Sequence, residues 1–136
     1  MPHDYTRDRI ELQDLMLNYA AGVDERDRPR YSACFAEDVE VFNFGTEIYR
    51  GRDTWVDYVW SALEKYQATQ HMLGSQFATI DGDHARTRSD VQALHVLADG
   101  GNRFTLWATY HTDMRRLDGH WLISRHELQV CATSTD

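Results

Sequence analysis

The sequence predicts an α+β domain in which N-terminal helices pack against a strongly curved, mostly antiparallel sheet. Two observations carry this. Apolar residues recur at helical spacing through the first half of the chain, and the second half is four long β-type segments separated by Asp/Gly-rich turns. Helices followed by an antiparallel meander define the α+β class. Strands of more than ten residues must curl, so the sheet is expected to wrap around the helices and enclose a pocket.

Leu12, Leu15, Met16, Tyr19, Ala20 and Val23 form the apolar stripe of a first helix, with Thr6 or Asp4 as its cap and Gly22 loosening its end. Asp27 reads as the N-cap of a short second helix with Pro29 in its first turn and Tyr31, Cys34 and Phe35 inward. Val39 to Phe44 alternates and is β-rich, and Gly45-Thr46 turns into a short partner, Glu47 to Tyr49. A third helix follows Gly51, capped near Asp53 or Thr54, with Trp55, Val59, Ala62, Leu63 and Tyr66 inward. The four long strands are Gln70 to Ile80, His84 to Leu97, Arg103 to Arg116 and His120 to Val130. Asp81-Gly82-Asp83, Asp99-Gly100-Gly101-Asn102 and Asp118-Gly119 are their turns.

The 136 residues suit one domain, 1–136, with an ordered core of about 7–130 and loose ends. Fourteen basic against 22 acidic residues give a net charge of −8. That balance disfavours nucleic acid and anionic membranes, both of which reward Lys and Arg. No stretch is apolar enough for a membrane span, and the amino terminus is polar, without the apolar segment of a secretory signal. Cys34 and Cys131 form no metal or redox motif and read as reduced thiols of a cytoplasmic protein. There are seven His, but no His-x-His and no His-Glu-x-x-His, so no metal is expected. His84 and His120 follow turns, His3 lies at the terminus, and His95, His111 and His126 are strand residues that could face the cavity or a subunit interface.

The order of elements resembles the SnoaL-like branch of the nuclear transport factor 2-like superfamily, over roughly Arg7 to Val130. The local phrases that carry the resemblance are Tyr19-Ala20-Ala21-Gly22-Val23-Asp24 with Asp27, Cys34-Phe35-Ala36-Glu37-Asp38-Val39, Thr69-Gln70-His71-Met72-Leu73-Gly74, Asp81-Gly82-Asp83-His84-Ala85 and Gly119-His120-Trp121-Leu122-Ile123-Ser124-Arg125. The resemblance implies a cone-like α+β barrel. Within the superfamily the chain looks most like the group of scytalone dehydratase, bile-acid 7α-dehydratase and hexachlorocyclohexane dehydrochlorinase. Their Asp at the end of the first helix and His on the first long strand match Asp24 and His71. A Tyr before the Asp would be Tyr19, and an Arg on the last strand would be Arg125. The second pocket His of scytalone dehydratase has its nearest counterpart in His95. The Lys of the dehydrochlorinase has no counterpart beside Asn18 and Tyr19, which speaks against a chlorinated substrate.

Residue chemistry points the same way. A neutral imidazole can take a carbon-bound proton, and a carboxylate on its other nitrogen fixes the tautomer. The bland alternatives are a helix-end Asp and a polar strand His. Tyr19 is either a core Tyr or a hydroxyl acting on a carbonyl or leaving oxygen. Arg125 shares a face with Trp121, Ile123 and Glu127 by strict alternation, and either holds a substrate oxygen or pairs with a carboxylate. Met72, Phe44, Trp55, Phe104 and Tyr110 are expected to bind substrate, with Met72 helping to desolvate His71. The expected function is a cofactor-independent, dehydratase-type lyase acting on a small hydrophobic or polycyclic hydroxy-carbonyl compound. The alternatives are an isomerase or cyclase with a carboxylate base, for which Glu40 or Asn43 occupies the required region, and a non-catalytic binding or assembly domain. A homo-oligomer is expected, a trimer before a dimer.

Overall fold

The computed structural model describes residues 4–136; His3 lies outside them. The elements run α1 (Tyr5–Asp24), α2 (Arg28–Ser32), β1 (Phe35–Phe42), β2 (Tyr49–Arg50), α3 (Arg52–Leu63), β3 (Tyr66–Asp81), β4 (His84–Leu97), β5 (Arg103–Leu117) and β6 (His120–Thr135). The strands form one sheet of order β2-β1-β6-β5-β4-β3, antiparallel throughout except for the parallel β1/β6 pair. The sheet is not closed: β2 and β3 are its edges. The helices pack on its inner face, giving the cone-like form of the nuclear transport factor 2-like fold.

Asp4 caps α1 by accepting from the Arg7 backbone N–H, and Asp27 caps α2 in the same way through Arg30. The stripe Leu12, Leu15, Met16, Tyr19, Ala20 and Val23 is buried against the sheet and α2. Gly22 does not loosen the helix. A Cβ there would lie 2.8 Å from Tyr31 Cβ and 2.9 Å from its backbone, so only glycine lets α2 rest on α1. Gly51, not Asp53 or Thr54, takes the cap position of α3, with no side-chain cap bond. Expected looseness beyond residue 130 gives way to strand: β6 reaches Thr135, and Arg103 and Asp136 exchange backbone hydrogen bonds.

Bulges shape the sheet. β6 carries an extra residue at Ser124 and another at Cys131, and β3 carries one at Gln67 and one at Gly74–Ser75. Each bends its strand and reverses which residues face inward. On β3 the inward set changes from Thr69, His71 and Leu73 to Gln76, Ala78 and Ile80. On β6 it changes from Trp121 and Ile123 to His126 and Leu128.

Candidate active site

Asp24 ends α1, and the chain turns through Arg26, whose φ of 56° is left-handed. Arg26 Nη1 donates to Val23 O (2.6 Å) and to Thr69 Oγ1 (2.9 Å), clasping the end of α1 to the start of β3. Asp24 then collects three donors. The Thr69 hydroxyl donates to Oδ1 (3.0 Å), the His71 backbone N–H to Oδ2 (2.7 Å), and His71 Nδ1 lies 2.8 Å from Oδ1. A carboxylate only accepts, so Nδ1 carries a proton, and in the neutral ring Nε2 is the nitrogen with the lone pair. Burial raises the Asp24 carboxyl, but the hydrogen bonds from the His71 ring and backbone and from Thr69 outweigh it and hold the group below its usual value.

A cavity of about 380 Å³ lies between helices and sheet. His71 lines it together with Tyr19 and Val23 of α1, Tyr31 of α2, Trp55, Val59 and Leu63 of α3, His95 of β4, Phe104, Leu106 and Tyr110 of β5, Leu128 of β6 and Phe44 of the β1–β2 loop. Among the described residues its lining contains no Asp, Glu, Lys or Arg. The polar groups are hydroxyls, the two imidazoles, the Trp55 indole N–H and the Asn43 amide. Burial pushes the Tyr19, Tyr31 and Tyr110 hydroxyls well up, so all three stay protonated. Trp55 Nε1 donates to Tyr31 Oη (3.1 Å). The His95 ring lies 5.9 Å from that of His71, and burial, then His71, lower its pKa, keeping it neutral. A larger, polar depression of about 930 Å³ lies on the outer face beside Arg86, His111, Arg125 and Glu127, away from the dyad. The smaller cavity is the candidate site because, among the described residues, it joins an apolar lining to His71 of the Asp24–His71 pair.

Tyr19, His71, Phe44, Trp55, Phe104 and Tyr110 therefore meet in one cavity, with Asp24 behind His71. Two expectations are corrected. The Ser124 bulge turns Arg125 outward, where it pairs with Glu127 (2.9 Å) and stacks over the Phe42 ring (4.2 Å). Met72 neighbours His71 in sequence, so it points to the opposite face of β3 and is 61% exposed. Of the two residues in the region of the isomerase base, Glu40 lies outside the cavity and accepts from Arg50 Nε (3.1 Å), while Asn43 lines the cavity and donates to Glu127 (3.0 Å). Among the undecided histidines, His95 lines the cavity, His111 faces outward against Gln129, and His126 is wholly buried beside Tyr19. His126 had a sequence signal. Charges at Arg125 and Glu127 with Leu128 between strand positions of the other parity mark 126 and 128 as inward. Among the described residues, no cluster of three or more His, Cys, Asp or Glu side chains is placed to hold a metal ion.

Fold and cavity define an α+β protein of the nuclear transport factor 2-like class. The SnoaL-like domain family matches residues 4–127, and the chain belongs to that family. It is 27% identical over 124 residues to hexachlorocyclohexane dehydrochlorinase 1 of Sphingobium indicum, covering 90% of this chain and 80% of that protein. In fold it is similar to a scytalone-dehydratase-like protein of Novosphingobium aromaticivorans (TM-score 0.89, 22% identity, 95% of this chain and 87% of that one). It is also similar to a hexachlorocyclohexane dehydrochlorinase of Novosphingobium barchaimii (TM-score 0.87, 22% identity, 96% and 91%). By name these relatives are dehydrochlorinases and a scytalone-dehydratase-like protein. No helix among the described residues is long and apolar enough to cross a membrane.

Proposed function

We propose that the chain is a cofactor-independent lyase that eliminates water from a small, hydrophobic hydroxy-carbonyl compound. His71 is the general base and Asp24 its orienting partner. The observation that carries this reading is the hydrogen bond of His71 Nδ1 to Asp24, which in the neutral ring turns the Nε2 lone pair to a largely apolar cavity. His71 takes the proton on the carbon next to the carbonyl, and the C–H electron pair becomes the new C=C bond through an enolate. Tyr19 donates to the carbonyl oxygen as charge builds there. The C–O bond at the neighbouring carbon breaks, and the hydroxyl leaves with the abstracted proton as water. Substrate becomes alkene plus water, so no oxidant, reductant or metal enters the balance.

Water is preferred to halide as the leaving group because the cavity lining offers no cation to receive a free anion. The aromatic lining favours a ring compound over a small polar metabolite. The acidic chain acts without nucleic acid or membrane, and the unpaired Cys34 and Cys131 support a cytoplasmic setting. A homo-oligomer is proposed, trimer before dimer; Met72 and Phe77, exposed on β3, support self-association without choosing its order. A monomer in sedimentation would reject that part.

The function is tested by incubating the protein with β-hydroxy ketones carrying one to three rings. Enone absorbance and solvent deuterium at the carbon next to the carbonyl are followed together. His71-dependent enone formation without added cofactor is expected. Neither elimination nor deuterium exchange across the series would reject the lyase.

A further inference from the structure

His126 is a buried titratable group that the elimination does not use. It is 0% exposed, and its ring packs on Tyr19 (4.9 Å), Tyr110 (4.8 Å) and Phe44 (5.3 Å). Both nitrogens are engaged: Nε2 lies 2.9 Å from Tyr19 Oη and Nδ1 2.9 Å from Thr112 Oγ1. The groups facing it are Tyr19 from α1, Thr112 and Tyr110 from β5 and Phe44 from the β1–β2 loop. Only the two tyrosines can titrate, and burial keeps both protonated. Burial also lowers His126 to about 3, so it is neutral and a single nitrogen carries the proton.

Hydrogen-bond accounting says which one. Thr112 is 1% exposed, and among the described residues its hydroxyl meets no partner except His126 Nδ1. Its backbone carbonyl is a separate acceptor, used by the Thr87 hydroxyl (2.9 Å). A buried hydroxyl hydrogen with one acceptor goes to it, since leaving the donor unpaired costs about 1–3 kcal/mol. Nδ1 is therefore the acceptor, and Nε2–H donates to Tyr19 Oη. The Tyr19 hydrogen then points away from His126, towards the cavity and the neighbouring Tyr31 and Tyr110 hydroxyls.

We propose that His126, backed by Thr112, is a positioning residue that presets the Tyr19 hydroxyl as a hydrogen donor into the cavity, so that the substrate group received there is an acceptor oxygen. The inference rests on the cavity assigned above as the substrate site and narrows what it takes: a ketone-type oxygen at Tyr19, not a hydroxyl donor. The N–H bond on the phenol oxygen also polarises the hydroxyl and strengthens its donation.

The direct test is the tautomer of His126, read by long-range ¹H–¹⁵N correlation on the native protein between pH 5 and 8. The Nε2–H neutral form is expected throughout. An Nδ1–H form, or a protonated ring in that range, overturns the proposal, and no variant has to fold for this reading. The second readout uses two probes, a naphthyl ketone and the matching alcohol. The native protein is expected to bind the ketone about tenfold more tightly, the worth of one modest hydrogen bond. His126→Leu should abolish that preference, and His126→Gln, which can present an N–H to Tyr19, should keep it. A native preference for the alcohol overturns the proposal. If neither probe binds, the cavity reading fails, while the tautomer still judges His126 independently.

Discussion

His71 and Asp24 are joined twice: the ring through Nδ1 to Oδ1 at 2.8 Å, and the backbone N–H to Oδ2 at 2.7 Å. The second bond fixes the carboxylate relative to the strand that carries the imidazole. Ring orientation is therefore set by the meeting of α1 and β3. Asp24→Asn replaces one acceptor by an N–H₂ that must face a donor. Turnover is expected to fall about 10²-fold or more with KM little changed, because Asp24 does not line the cavity. Steady-state kinetics on the hydroxy ketone that is turned over checks the split between kcat and KM.

Arg125 and Tyr19 separate the inward and outward readings of the resemblance. Arg125→Ala should leave turnover within about twofold, since its charge is spent on Glu127 and Phe42 outside the cavity, with a stability cost of about 1 kcal/mol or less. Tyr19→Phe should lower kcat by about 10–100-fold by removing the hydroxyl that faces the substrate oxygen. The reverse pattern would return Arg125 to the site.

Stability should fall with acid over a defined window. His126 has a folded pKa of about 3 against an ordinary value of 6.5, so the unfolded chain binds more protons between them. Its contribution is complete above pH 6.5 and declines as pH drops, by about 2 kcal/mol at pH 5. Asp24, held below 3.8, adds stability that is present above about pH 4 and lost as pH falls through its folded value. Urea unfolding at pH 7 and pH 5 should show the loss in the native protein and a loss smaller by about 2 kcal/mol in His126→Gln. Equal losses in both would contradict burial as the cause.

Gly22→Ala tests the helix contact. The added methyl would meet Tyr31 backbone and Cβ at under 3 Å, and these cannot move without shifting α2. A loss of about 2–3 kcal/mol, read as a lowered Tm, is expected.

The fold was legible because its signals are local. Helical spacing from Leu12 to Val23, the Asp27 cap and the Asp/Gly turns each depend on neighbouring residues, and the three helices and four long strands follow those signals, except that Phe35 and Tyr66, expected on helices, open β1 and β3. The site was legible only in part. Tyr19, Trp55, Phe104 and Tyr110 lie on the inner faces that periodicity gives them, whereas Phe44 reaches the cavity from the β1–β2 loop, where strand alternation does not apply. Arg125 turned outward because one extra residue at Ser124 inverts the alternation carried forward from Trp121 and Ile123, and counting from upstream cannot see a bulge. Gly22 was misread for a similar reason: a glycine demanded by a neighbouring helix looks in sequence like one that ends its own.

A double-mutant cycle on His71 and Asp24 tests the central claim most directly, with kcat measured on a β-hydroxy ketone for His71→Ala, Asp24→Asn and the pair. If Asp24 acts through His71, each single change lowers kcat by about 10²-fold or more, and the double variant is no worse than His71→Ala alone. Full turnover in His71→Ala, or losses that simply add, would contradict the account.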